Sequence, residues 1–115
     1  VYAFITTVET NLIAVKPRSR SGLRRLLDRA YEGKTQPGIF FGKGVNSYYS
    51  PTDHVIFIAR HQQDYATCLH EIVHAEGYWD HDSRFMRRYI AKLAQFARCD
   101  EHRLTLAAGL YGIKI

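Results

Sequence analysis

The 115-residue chain is expected to fold as one α+β domain spanning residues 1–115, and three observations predict this. The length leaves room for one hydrophobic core and not for two. Strand-like apolar runs concentrate in the first 60 residues and helical periodicity dominates from residue 63 onward, the order typical of α+β folds. At 46% hydrophobic and 23% charged residues the composition is that of a globular domain and excludes a disordered chain. No apolar run approaches the roughly 18 residues needed to span a bilayer, so no membrane partner is expected. Residues 1–15 mix apolar side chains with Thr, Glu and Asn, unlike a signal peptide. Two cysteines, Cys68 and Cys99, make neither a disulfide framework nor a four-cysteine metal site, and a reducing, cytoplasmic or nucleoid-associated setting is expected.

Residues 2–8 (YAFITTV) and 12–15 (LIAV) are β-prone runs separated by Glu9-Thr10-Asn11, which reads as a hairpin or a kinked strand. A basic loop follows, whose Ser21 is placed to cap the next helix. In that helix Leu23, Leu26, Leu27, Ala30 and Tyr31 share a face, and it should stop at Gly33. Ile39-Phe40-Phe41 is a short strand candidate within a Gly-rich loop. Residues 47–50 (SYYS), a Pro51-Thr52-Asp53 turn and residues 54–59 (HVIFIA) predict a second hairpin. A helix is expected from about Gln63 to Gly77, with Tyr65, Leu69, Ile72 and Val73 as its apolar side. A further helix begins at Ser83, carrying the stripe Phe85, Met86, Tyr89, Ile90, Leu93, Phe96 and Ala97. A last helix runs over residues 101–110 and ends at Tyr111-Gly112.

The net charge is +5, and residues 1–50 hold eight basic and three acidic side chains while residues 51–115 hold eight of each. The surplus therefore lies in the N-terminal half. Lys16, Arg18, Arg20, Arg24, Arg25 and Arg29 form a set that can track phosphates, with Tyr31 nearby as a stacking surface, and DNA is a candidate partner. A solvated helix face is the rival explanation of the same residues.

His70-Glu71-Ile72-Val73-His74 is an HExxH motif on a predicted helix. One helical turn separates the two histidines, so both imidazoles project from one face and can share a Zn²⁺ ion. Glu71 is placed to act as general base toward water acidified by the metal. With six His and five Glu in the chain, a chance HExxH is expected at the level of roughly 1%. A catalytic zinc site needs a third protein ligand and an open position. His81 is the first choice, because a neutral imidazole is the commonest companion of two others and a turn at Gly77 can swing it back. Asp80 is the second, since HEIVHAEGYWD also fits HExxH-x-x-G-x-x-D. Glu101, with 26 residues between it and His74, is the third. Cys68, two residues before His70, turns away from the ligand face and reads as a small core residue.

Residues 68–75 (CLHEIVHA) followed by His81-Asp82-Ser83-Arg84-Phe85 resemble the SprT-like (Spartan-type) zincin metallopeptidases, whose pattern is an LHExxHA helix, a loop and HGPxF. Asp82-Ser83 stands here where that pattern has Gly-Pro, but His81 and Phe85 keep the same separation. Residues 47–74 are similar in addition to the zincin domain of ArdC-type antirestriction proteins, through Tyr48-Tyr49-Ser50-Pro51 and Tyr65-Ala66-Thr67-Cys68-Leu69-His70. No Pro follows Ile58, and that family's carboxylate-rich downstream segment is missing. The resemblance implies a small zincin-like domain: a mostly antiparallel, twisted sheet packed on the HExxH helix, with two or three further helices. It implies His81 as third ligand of one Zn²⁺, and a protein or peptide substrate associated with DNA. In zincins an edge strand beside the active helix pairs with substrate, which would make Val55, Ile56, Phe57 and Ile58 substrate-binding residues. A core-facing role for Val55, Phe57 and Ala59 is the rival. Tyr78 or Trp79 is placed to donate a hydrogen bond to an oxyanion, or else packs the loop.

The leading expectation is thus a zinc metallopeptidase-like enzyme with His70, His74 and His81 as ligands and Glu71 as base. The alternative is a zinc-stabilised, non-catalytic module that binds DNA or protein, for example a mobile-element or viral factor acting on host defence. A third reading is a basic DNA-binding domain in which HExxH is accidental.

Overall fold

The computed structural model of the protein describes residues 16–32, 34–110 and 112. The β-prone runs at 2–8 and 12–15 lie outside the described residues, as do Gly33 and Tyr111.

The first helix, α1 (Arg20–Ala30), buries Leu23, Leu26 and Leu27 and leaves Arg20, Arg24, Arg25 and Arg29 exposed. Its cap is Ser19 rather than Ser21: Ser19 has extended backbone and its Oγ accepts the Gly22 N–H at 3.0 Å, whereas Ser21 already lies inside the first turn.

Three strands follow: β1 (Gly38–Gly42), β2 (Tyr48–Ser50) and β3 (Val55–Ala59). Among the described residues they form one sheet in the order β1-β3-β2, with β1 parallel and β2 antiparallel to β3. The expected β2–β3 hairpin is present, but the sheet is mixed and not mostly antiparallel. The chain reverses twice between β1 and β3, so those two strands point the same way. Ile56, Ile58 and Ala59 are fully buried, and such a strand takes the central place. Val55 and Phe57, by contrast, are only half-buried and point to the outer face. The β1–β2 connection is tied back by Ser47, whose hydroxyl accepts the Ala59 N–H at 2.9 Å and donates to Gln62 Oε1 at 2.7 Å.

The remaining chain is helical: α2 (Tyr65–Ala75), α3 (Ser83–Ala97) and α4 (Glu101–Leu110). The HExxH helix α2 starts where Asp64 caps the Thr67 N–H at 2.7 Å and buries Ala66, Cys68, Leu69, Ile72 and Val73 against the sheet, α1 and α3. It begins at Tyr65, two residues after the Gln63 start expected from periodicity, because Asp64 takes the cap position. Asp82 caps α3 through the Phe85 N–H at 3.0 Å, and this gives the Asp82-Ser83 pair a role of its own where the SprT-like pattern has Gly-Pro. α3 ends at Arg98 in the left-handed conformation, and α4 contributes Leu104 and Ala108 to the core. No helix among the described residues is long and apolar enough to cross a membrane.

Candidate metal centre

The i, i+4 spacing on α2 brings His70 and His74 together, with their Nε2 atoms 3.1 Å apart. The third histidine arrives from the loop. Gly77 leaves the helix with φ of +103°, a conformation that side chains other than hydrogen rarely adopt, and reverses the chain. Glu76 fixes the turn from outside: its carboxylate pairs with Arg88 at 2.7 Å and with the buried Lys92 at 3.2 Å, both on α3. The loop then delivers His81, whose Nε2 lies 3.0 Å from that of His70 and 3.2 Å from that of His74.

The tautomer of His74 follows from the partner of its second ring nitrogen. Its Nδ1 lies 2.8 Å from the main-chain carbonyl of Tyr78, which can only accept, so Nδ1 carries the proton and Nε2 presents a lone pair to the other two rings. Zn–N bonds of about 2.0–2.1 Å in a tetrahedral site place nitrogen ligands about 3.3 Å apart. The observed separations of 3.0–3.2 Å come close to that spacing, so the three histidines form a group that can hold a metal ion.

The surroundings favour the neutral form of His70 and His81. Burial, with the neighbouring His74 and His81 adding to it, pushes the pKa of His70 down to about 3. His81 is lowered as well, by burial first and then by His74, with Asp80 opposing. Phe85, fully buried on α3, forms the floor: its ring centroid lies 5.0 Å from that of His70 and 4.8 Å from those of His74 and His81. The four-residue separation of His81 and Phe85 puts the histidine just before the helix and the floor within its first turn.

Glu71 is 6% exposed and follows His70 on α2. Cys68 is fully buried, outside the histidine group, and its thiol is pushed up to about 12 by burial and then by the charges of Glu71 and Asp64. Among the described residues neither Asp80 nor Glu101 joins the candidate metal group, so of the three options for a third ligand the structure brings in His81.

Other expected site residues fall elsewhere. Val55, Ile56, Phe57 and Ile58 lie on the central strand, whose two backbone edges already pair with β1 and β2, so β3 cannot accept a substrate strand. The side chain of Tyr78 packs against the core, and it is the carbonyl of this residue that serves the site. Trp79 stacks on Tyr49 with centroids 6.1 Å apart. Sequence reasoning missed the Tyr78 carbonyl, for which side-chain identity carries no signal, and the Glu76 anchor, which depends on how α2 and α3 pack.

The basic set is partly engaged inside the fold. Arg18 lies over the Tyr65 ring at 4.5 Å, and Arg20 and Arg24 lie over Phe41 at 5.4 and 5.2 Å. Arg29 reaches the Tyr65 hydroxyl at 3.4 Å, while Lys16 and Arg25 are exposed. Tyr31 is half-buried against the core with its hydroxyl inside, which does not suit a stacking surface. Its pKa is raised, chiefly by burial.

Comparison with known proteins gives no match to a family model, to a curated protein or to a solved structure.

Proposed function

We propose that the protein is a zinc-dependent hydrolase of the metallopeptidase type, with Glu71 as general base. The observation that carries this reading is the convergence of three histidine Nε2 atoms within 3.2 Å of one another on an HExxH helix. An all-imidazole donor set suits zinc, and three protein ligands are the number found where a position stays open for chemistry. A bound zinc supplies Lewis acidity, which acidifies water and polarises a carbonyl. The chain's own groups do the rest. His70, His74 and His81 hold the ion, and the Tyr78 carbonyl keeps His74 in the ligating tautomer. Phe85 closes the floor against bulk solvent. Glu71 accepts a proton from the attacking water as the new C–O bond forms, and returns it to the amine as the C–N bond breaks. The SprT-like motif resemblance favours proteins associated with DNA as substrates.

One observation favours the alternative of a zinc-stabilised, non-catalytic binding module: the burial of Glu71 at 6% exposure. Elemental mass spectrometry on the purified protein and on His81→Ala, followed by peptidase assays on free and DNA-bound proteins with Glu71→Gln as control, separates the readings. About one zinc per chain, lost in His81→Ala, with hydrolysis reduced at least roughly a hundredfold in Glu71→Gln, is the expected result. Zinc bound without any hydrolysis leaves the binding module, and no zinc after reconstitution removes both.

A further inference from the structure

The outer face of the sheet, away from the core, carries a row of aromatic side chains, two of them largely exposed. Phe40 on β1, Phe57 on β3 and Tyr48 on β2 are direct partners in register across the three strands and therefore share one face. Tyr48 stacks on Phe57 with centroids 5.2 Å apart and planes 27° off parallel. Phe40 is 60% exposed and Tyr48 53%, which is unusual for large rings gathered in one place. The same face is otherwise lined by small or uncharged residues: Gly38 and Gly42 on β1, Val55 on β3 and Ser50 on β2. Gly44, just beyond β1, is required by the row itself, since a Cβ there would lie 2.8 Å from the Phe57 ring.

Charge is arranged at one end. Gly42 and Ala59 are the last register partners of the parallel pair β1–β3, so Lys43 and Arg60, which follow them, lie at the same end of the sheet, and both are exposed. Among the described residues neither takes part in an ion pair. Exposed rings on a sheet face, with cations at one end and no acidic residue on the strands themselves, match the chemistry of unpaired bases on a phosphate backbone.

We infer that this outer face is a docking surface for single-stranded nucleic acid, with bases stacking on Phe40 and Tyr48 and the phosphates passing Lys43 and Arg60. The inference goes beyond the proposed hydrolase and is independent of the metal. It also differs from the basic α1 surface suggested by the sequence, where Arg18, Arg20 and Arg24 already cover aromatic rings within the fold. A base-paired duplex offers no free ring faces to this surface and should bind much less well.

The test is fluorescence anisotropy with a labelled 12-nucleotide oligo(dT) and a duplex of the same length, using the full chain in chelator. Phe40→Thr and Tyr48→Thr remove the rings while keeping residues suited to strands, and Tyr48→Phe keeps the ring. Thermal unfolding verifies that the variants fold. The expected result is binding of the single strand, weakened about tenfold or more by each Thr variant and retained by Tyr48→Phe. Lys43→Ala should lower the salt dependence as well as the affinity. Absence of binding by the wild-type chain overturns the inference. So does binding that survives both Thr variants but is lost in Arg25→Ala/Arg29→Ala, since that places the nucleic acid on α1. A dimer in sedimentation that disappears in Phe40→Thr, without any oligonucleotide binding, would make the face a self-association surface and refute the inference in the same way.

Discussion

Replacing Gly77 by Ala tests whether one backbone conformation builds the metal group. Gly77 has φ of +103°, and a Cβ added there meets no atom within 4 Å, so the substitution introduces no clash and its cost is confined to the backbone. Holding a residue with a side chain in so sparsely populated a region costs about 1–3 kcal/mol. Ala also restricts the unfolded chain, which returns about 0.4–1 kcal/mol. The net loss is about 1–2 kcal/mol, or a fall in melting temperature on the order of 5–10 °C for a domain near 100 residues. The turn also presents the Tyr78 carbonyl to His74 at 2.8 Å and carries His81 to its partners. Loss of such an orienting contact typically lowers metal affinity about 10–100-fold. The assay is thermal unfolding in chelator, paired with zinc competition against a chromophoric chelator. Wild-type melting in Gly77→Ala would show that the fold does not demand this turn. A lowered melting point with unchanged zinc affinity would show that the turn does not position the ligands, and the account of the site would be wrong.

Three further outcomes are expected. Zinc at about 100 times its dissociation constant should raise stability by about 2.7 kcal/mol, a gain measurable by calorimetry that His81→Ala should largely lose. Asp64→Ala should destabilise by about 1 kcal/mol through loss of the α2 cap, whereas Asp64→Asn keeps an acceptor for the Thr67 N–H and should lose little, as denaturant titration at neutral pH would reveal. Burial raises the Asp64 pKa above its ordinary 3.8 despite opposing hydrogen bonds from Thr67. The folded state therefore holds that proton more readily than the unfolded chain, and the cost of the buried charge is present at neutral pH and relieved as pH falls through the raised folded value. Wild type should accordingly gain stability relative to Asp64→Asn on acidification, and a constant difference from pH 7 to pH 4 would rule this out.

Local spacing was sufficient for what depends on a few consecutive residues. The i, i+4 pair His70 and His74, the burial of Cys68 on the side away from them, the β2–β3 hairpin around its Pro51-Thr52-Asp53 turn and the apolar stripe of α3 all follow from local spacing and turn chemistry, although the turn extends to His54 and the strand starts at Val55. Gly77 was legible as a helix stop for the same reason. The choice of Ser19 over Ser21 as cap was not, because both lie at plausible distances and only the start of regular hydrogen bonding separates them.

The sequence alone thus determined that two histidines share a helix face and that an acid stands beside them. Only the tertiary structure decided which residue joins them: Asp80, His81 and Glu101 satisfied the spacing arguments, and the packing of α3 against α2, held by Glu76 on Arg88 and Lys92, brings in His81 above Phe85. It likewise decided that β3 is central, with both edges paired, and that Phe40, Phe57 and Tyr48 form one row. The physical reason is common to all three. A strand or loop residue has no fixed neighbours along the chain, and its partners are set by which distant surfaces bury the most apolar area together.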